Sequence, residues 1–117
     1  MVRRAGWPRG RKYRNRVVTT EHGRFDSAGE ARRYAELRLL ERAGVISGLE
    51  RQVPIELQVA GTPIKFDNGR VAKLVVDFRY VENGRVVHED FKGRETPVSK
   101  LKRAIARAMG IEIRLSR

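Results

Sequence analysis

Polar and apolar positions alternate in LERQVPIELQV. Leu49, Arg51, Val53, Ile55, Leu57 and Val59 face one way, and Glu50, Gln52, Pro54, Glu56 and Gln58 the other. A period of two is that of a strand, and Pro54, which has no N–H to give a ladder, assigns it to an edge or an irregular strand. The period changes in DSAGEARRYAELRLLERAG, where Ala31, Tyr34, Leu37 and Leu40 recur at helical spacing. Ser27 with Glu30 three residues on reads as a capping box and Gly44 as a stop, so a first helix is predicted over about 28–43. Downstream, PIKF, the turn DNG and VAKLVVDFRYV predict a hairpin, and Asn83–Gly84 joins that second strand to RVVHEDFKG by a tight turn. A second helix is predicted from near Val98 to Gly110. Leu101, Ala104, Ile105 and Ala108 form its apolar stripe, with Lys100, Lys102, Arg103 and Arg107 around the rest. IEIRL at 111–115 closes as a short strand, and two β-prone pieces around EHG, between Val17 and Phe25, make a preliminary hairpin. The order helix, three strands, helix, strand predicts an α/β (α+β) chain with a central mixed sheet flanked by helices.

At 117 residues, 40% of them apolar, the chain suits one modest core. The expected division is a basic flexible arm over 1–16 and a single domain over 17–117. The absence of cysteine excludes thiol chemistry and cysteine-ligated zinc and fits a cytoplasmic, intracellular protein. No apolar run approaches membrane-spanning length, and the N-terminal arginines are not followed by the apolar segment of a signal peptide.

Charge narrows the function. Lys and Arg number 26 against 14 Asp and Glu, and the excess sits at the two ends. Residues 1–20 hold Arg3, Arg4, Arg9, Arg11, Lys12, Arg14 and Arg16 with no acid. Beyond Gly93 the basic groups again outnumber the acids, whereas the middle of the chain is balanced. Local positive density at both ends suits a polyanion, and Trp7 and Tyr13 in the arm are available to stack on bases. A membrane surface, an acidic protein or mere solubility are the competing readings.

The acids in the middle carry the chemistry. Alternation along VVHEDFKG puts His88, Asp90 and Lys92 on one face and Val87, Glu89 and Phe91 on the other, so Asp90 rather than Glu89 is the partner expected for Lys92. In LVVDFRY, Asp77 shares a face with Arg79, and the Asn83–Gly84 turn places Asp77 opposite Asp90. Two facing carboxylates need something positive between them. Either Lys92 neutralises the pair, with Arg79 close to Asp77, or a hard divalent ion such as Mg²⁺ occupies it. Glu30 either serves only its helix cap or approaches the same point.

Glu30, Asp77 and Asp90-x-Lys92, in that order, resemble the active-site series of the PD-(D/E)XK nuclease superfamily. KYRNR, FDSAGEARRYAELRLLERAG, VVDFRYVENG, HEDFKG and SKLKRAIARAMGIEI are similar to small phage- and prophage-encoded proteins assigned to it, distantly like Holliday-junction-resolving nucleases. The resemblance implies a restriction-endonuclease-like αβββαβ core. It also implies a divalent-metal-dependent DNA endonuclease that hydrolyses phosphodiesters, selective for branched DNA or Holliday junctions and working as a homodimer. By position, Asp77 and Asp90 would bind Mg²⁺ (or Mn²⁺), Glu30 would assist as a catalytic and metal residue, and Lys92 would be the catalytic lysine. Val76 stands where the superfamily's named proline would be, and Asp90 where Glu is more usual. Arg11, Lys12, Arg14, Arg16, Gln52, Lys100, Arg103 and Arg107 are the nucleic-acid contacts expected. The alternative is a non-catalytic basic nucleic-acid-binding module of the same fold. An RNA-binding or ribosome-associated protein fits the charge but gives no reason for opposed Asp77 and Asp90.

Overall fold

A computed structural model describes residues 16–93 and 95–117. Most of the arm expected over 1–16, with Trp7, Arg11, Lys12, Tyr13 and Arg14, lies outside the described residues. A small hairpin, β1 (Val18–Thr20) and β2 (Gly23–Phe25), leads into helix α1 (Ala28–Arg42). Then follow β3 (Ile46–Glu56), a minor pair β4 (Gln58–Val59) and β5 (Thr62–Pro63), β6 (Lys73–Glu82), β7 (Arg85–Phe91), helix α2 (Pro97–Ala108) and β8 (Ile113–Ser116). The main sheet has the order β3-β6-β7-β8, antiparallel except for the β7–β8 pair, which is parallel and joined through α2. With the small β4–β5 pair set aside, α1-β3-β6-β7-α2-β8 is the αβββαβ order expected.

Local chemistry accounts for these elements. Asn83 and Gly84 both take left-handed φ (53° and 76°), as a two-residue hairpin turn requires. Pro54 sits on β3, which is an edge strand of the main sheet. Thr96 caps α2 in a reciprocal box with Ser99, and Pro97 occupies the first turn, where its missing N–H is harmless.

Strand β6 carries two cores in series. Leu74 and Val76 pack with Val53, Ile55, Leu57 and Ala106 of α2, whereas Phe78 and Tyr80 pack with Phe25 and with Ala31, Tyr34 and Leu37 of α1. Each buried Val, Leu, Ile or Phe among them contributes about 1.5–3 kcal/mol. Along the strand Asp77 falls at the boundary between the two, its side chain on the opposite face.

Three expectations are corrected. PIKF pairs only with the start of VAKL, through the Lys65–Val71 bridge and the Ala72 N–H to Ile64 O at 2.8 Å, while Lys73 and Leu74 pair with Glu56 and Ile55 of β3. An eleven-residue β3 offers β6 a longer ladder than four residues of PIKF. On α2 the docked face is Arg103 and Ala106 with Ile105 partly buried as expected, whereas Val98 and Leu101 are 60% and 61% exposed and Ala104 and Ala108 face solvent. Small Ala106 lets the helix approach the core, and Glu95 takes up the Arg103 charge at 2.8 Å, which makes arginine tolerable there. The alternation starting at Leu49 ends at Leu57, and Val59 is exposed on β4. None of the described helices is long and apolar enough to cross a membrane.

Gly29 is fixed by close approach. A Cβ there would stand 2.4 Å from the Phe91 ring, so glycine lets α1 seat against β7 one residue from Glu30. In an ordinary helix Gly→Ala stabilises by about 1 kcal/mol. Here Gly29→Ala is expected to destabilise by about 1–2 kcal/mol through overpacking, read as a lower urea midpoint at unchanged slope.

Candidate active site

The β6–β7 ladder runs from Glu82 opposite Arg85 to Phe78 opposite Glu89, and there it stops. At the next step carboxylates replace backbone partners. The Asp77 N–H donates to Asp90 Oδ1 at 3.0 Å, and the Phe91 N–H donates to Asp77 Oδ2 at 2.8 Å. Asp77 and Asp90 therefore face one another at the mouth of two separating strands, as the turn register predicted.

Two further side chains converge. Glu30, only 6% exposed, projects from the first turn of α1. Ser27 accepts the Glu30 N–H at 3.1 Å, but Glu30 does not close a reciprocal box: its Oε2 accepts from Gln52 Nε2 at 3.4 Å. Gln52 also donates to Asp77 Oδ1 at 3.3 Å, so one amide spans both acids. Its φ of +52° lies in the left-handed region, which a non-glycine residue in a strand occupies only at a cost of about 1–3 kcal/mol, and such strain gathers at functional sites. Gln52, on the edge strand β3, thus lines the acid cluster.

The electrostatics are those of an unneutralised cluster. Burial, then the charges of Glu30 and Asp90, push Asp77 up to about 8. Burial likewise raises Asp90, against hydrogen bonds from Asp77 and the charge of Arg103. Burial, with Asp26 and Asp90, raises Glu30, partly opposed by Arg51. Among the described residues no group of three or more His, Cys, Asp or Glu is arranged to hold a metal ion directly. Two opposed carboxyl groups nonetheless form an oxygen donor set suited to a hard cation that displaces the proton held at Asp77, with Glu30 linked to Asp77 through the Gln52 amide.

The cations lie elsewhere than expected. Lys92 falls just past the end of β7, its N–H donating to Ser116 O at 2.6 Å, and its Nζ stands 3.8 Å from Glu95 and not at Asp90. Arg79 binds Glu50 across β3–β6 and not Asp77. Arg103 is buried against Glu95 and is not available to grip a duplex, whereas Arg16, Lys100 and Arg107 are exposed as expected. His88, the middle residue of β7 and paired with Arg79, is half-buried, with burial and Arg79 lowering its pKa.

Glu89, on the strand face opposite Asp90, is turned to helix α1 and not to solvent. It is fully buried, accepts two hydrogen bonds from Arg33 at 2.7 and 3.0 Å and a third from the Tyr80 hydroxyl. Burial alone would raise its pKa, but these bonds outweigh it and hold Glu89 below the usual range. Strand alternation carried half of this signal; Arg33, one helical turn after Glu30, carried the other half.

The raised pKa of Asp77 sets a pH dependence. Its folded value, about 8, lies above the 3.8 of an ordinary Asp, so metal-free folded protein retains a proton that the unfolded chain has released. Stability from this group is complete below about pH 4 and is lost as pH rises toward 8. Asp77→Asn should remove that decline, on the order of several kcal/mol, in urea titrations made in EDTA across this range. A slope unchanged by the substitution would assign the effect to other groups.

No curated protein and no solved structure matches the chain. A family model does match, over residues 10–117, and so covers nearly the whole sequence. On that match the chain belongs to the family described as Protein of unknown function (DUF1064).

Proposed function

We propose that this protein is a divalent-metal-dependent DNA endonuclease hydrolysing phosphodiester bonds. The carrying observation is the pair Asp77 and Asp90, pinned face to face by backbone N–H groups where β6 and β7 part, with Glu30 turned toward them. Pre-positioned acids of this kind can hold charge against a phosphate without reorganising during reaction. Bound there, Mg²⁺ or Mn²⁺ would supply Lewis-acid polarisation of a phosphate oxygen and a bound water of lowered pKa.

The chain's own groups divide the remaining work. Asp77 and Asp90 would hold the ion, with Glu30 as the third acid beside them. Lys92, loosely tied to Glu95 at 3.8 Å, turns to orient the attacking water or to stabilise phosphate charge. Arg16, Lys100 and Arg107 take backbone phosphates, joined by Arg11, Lys12 and Arg14 of the arm, and such contacts position DNA without reading its sequence. Selectivity for branched DNA or a Holliday junction follows from the same reading, with a homodimer placing two sites on opposed strands. One observation favours a second reading, a non-catalytic binding module: Lys92 rests at Glu95 and not at the acids.

The test is a Mg²⁺ and Mn²⁺ titration on linear duplex, single-stranded, flap and four-way-junction DNA. Asp77→Asn, Asp90→Asn and Lys92→Ala should each lower cleavage by about 10²-fold or more while leaving binding in EDTA within a few-fold. Cleavage untouched by all three removes this site from the chemistry. Binding without cutting of any substrate supports the module.

A further inference from the structure

A second feature of the sheet lies outside the acid cluster. Between β5 and β6 the chain makes a tight turn whose backbone is fully tied: Phe66 N–H donates to Arg70 O at 2.9 Å, Gly69 N–H to Phe66 O at 2.8 Å, and Arg70 N–H to Asn68 Oδ1 at 2.9 Å. Lys65 and Val71 bridge at its base. This turn presents Phe66, which is 53% exposed. Phe66 lines a cleft together with Arg70, Lys73 and, from α2, Lys102, with Glu56 as the acid among the lining residues.

A lone exposed aromatic is ordinary. An aromatic held outward by a hydrogen-bonded turn among three cations, two from the turn and the strand after it and one from α2, has the composition of a single-strand platform: a ring for one base and cations for the flanking phosphates. The interior of a duplex does not satisfy it, because internal paired bases are stacked on both sides and leave no face free for Phe66.

The cleft is joined to the acid cluster by β6. Lys73, Val75 and Asp77 alternate with buried Leu74, Val76 and Phe78, so Lys73 and Asp77 lie on the same side of the strand. Four residues of strand separate them by about 13 Å. Across β3, Glu56 and Pro54 pair with Lys73 and Val75, and Gln52 then reaches Asp77, so one surface runs from cleft to acids.

We propose that this cleft is a subsite for an unpaired nucleotide, with Phe66 stacking on its base and Arg70, Lys73 and Lys102 taking adjacent phosphates. The proposal rests on the nucleic-acid reading above and deepens it: the substrate carries a single-stranded segment next to the phosphate that reaches Asp77 and Asp90.

The experiment is fluorescence anisotropy in EDTA, so that cleavage plays no part, with a blunt duplex, the same duplex bearing a single-stranded tail, and the tail alone. Phe66→Ala should weaken binding of the tailed duplex and of the tail by about 5- to 100-fold and leave the blunt duplex within two-fold. Phe66→Trp should retain tail binding. Joint replacement of Arg70, Lys73 and Lys102 by Ala should flatten the plot of log affinity against log salt for the tail by about 2. Phe66 is exposed, so Phe66→Ala should keep the wild-type melting temperature, which is measured alongside. Equal effects of Phe66→Ala on blunt and tailed DNA, or none on either while the wild type binds both, overturn the subsite and leave the endonuclease reading standing. Failure of the wild type to bind any of the three DNAs at low salt overturns both.

Discussion

The buried ion pair between Arg33 and Glu89 is the constraint on which the arrangement of the acids depends. A fully buried carboxylate without a partner would cost several kcal/mol, so Glu89 holds Arg33 wherever β7 goes. Glu30 sits one helical turn before Arg33, and Asp90 is the next residue after Glu89. The pair therefore sets α1 against β7 at the point where Glu30 must approach Asp90. Hydrogen bonding to Glu89 raises the Arg33 pKa, and burial pushes the Tyr80 hydroxyl up to about 12, so neither partner titrates near neutrality. The tie is insensitive to pH, whereas the acids beside it are not. Gly29 supports the same seating by letting the Phe91 ring close onto the helix.

Charge inside this small protein is separated by role. Glu89 is satisfied by a guanidinium and a phenol, Glu50 by Arg79, and Glu95 by Arg103 and more loosely by Lys92. Asp77 and Asp90 are satisfied mainly by backbone N–H groups, and Glu30 by a neutral amide. Glu89, the other buried acid among the described residues, is paired with a cation, whereas Glu30, Asp77 and Asp90 are held by neutral donors and have raised pKa values. That contrast, more than the proximity of the acids, distinguishes a site prepared for a ligand from an ordinary buried polar network.

Much of this was legible in the sequence because it rests on periodicity and turn chemistry. Asn83–Gly84 fixed the β6–β7 register, and with it the opposition of Asp77 and Asp90, since a two-residue turn leaves no freedom to slip. The helix around Tyr34 and Leu37 was equally plain, because its apolar spacing agrees with its cap. Features set by tertiary choice were hidden. The phase of α2 is decided by Glu95, a loop residue that makes Arg103 acceptable on the inner face, and hydrophobicity alone pointed to Leu101. The place of Lys92 could not be read by alternation because β7 ends one residue earlier, at Phe91, and alternation means nothing past a strand's end. The left-handed φ of Gln52 has no sequence signal, since nothing in the pattern around a glutamine asks for it.

The division of the interior at Asp77 has an evolutionary consequence. Leu74 and Val76 answer to one set of neighbours, Phe78 and Tyr80 to another, and the clusters share no buried member. Substitutions in separate clusters combine nearly additively, whereas those touching a common neighbour do not. Lineages can therefore remodel the packing on either side of Asp77 independently, drifting in sequence while the carboxylate at the seam stays in place. A fold of this size can in that way lose most outward similarity between relatives and still deliver the same two acids to the same point.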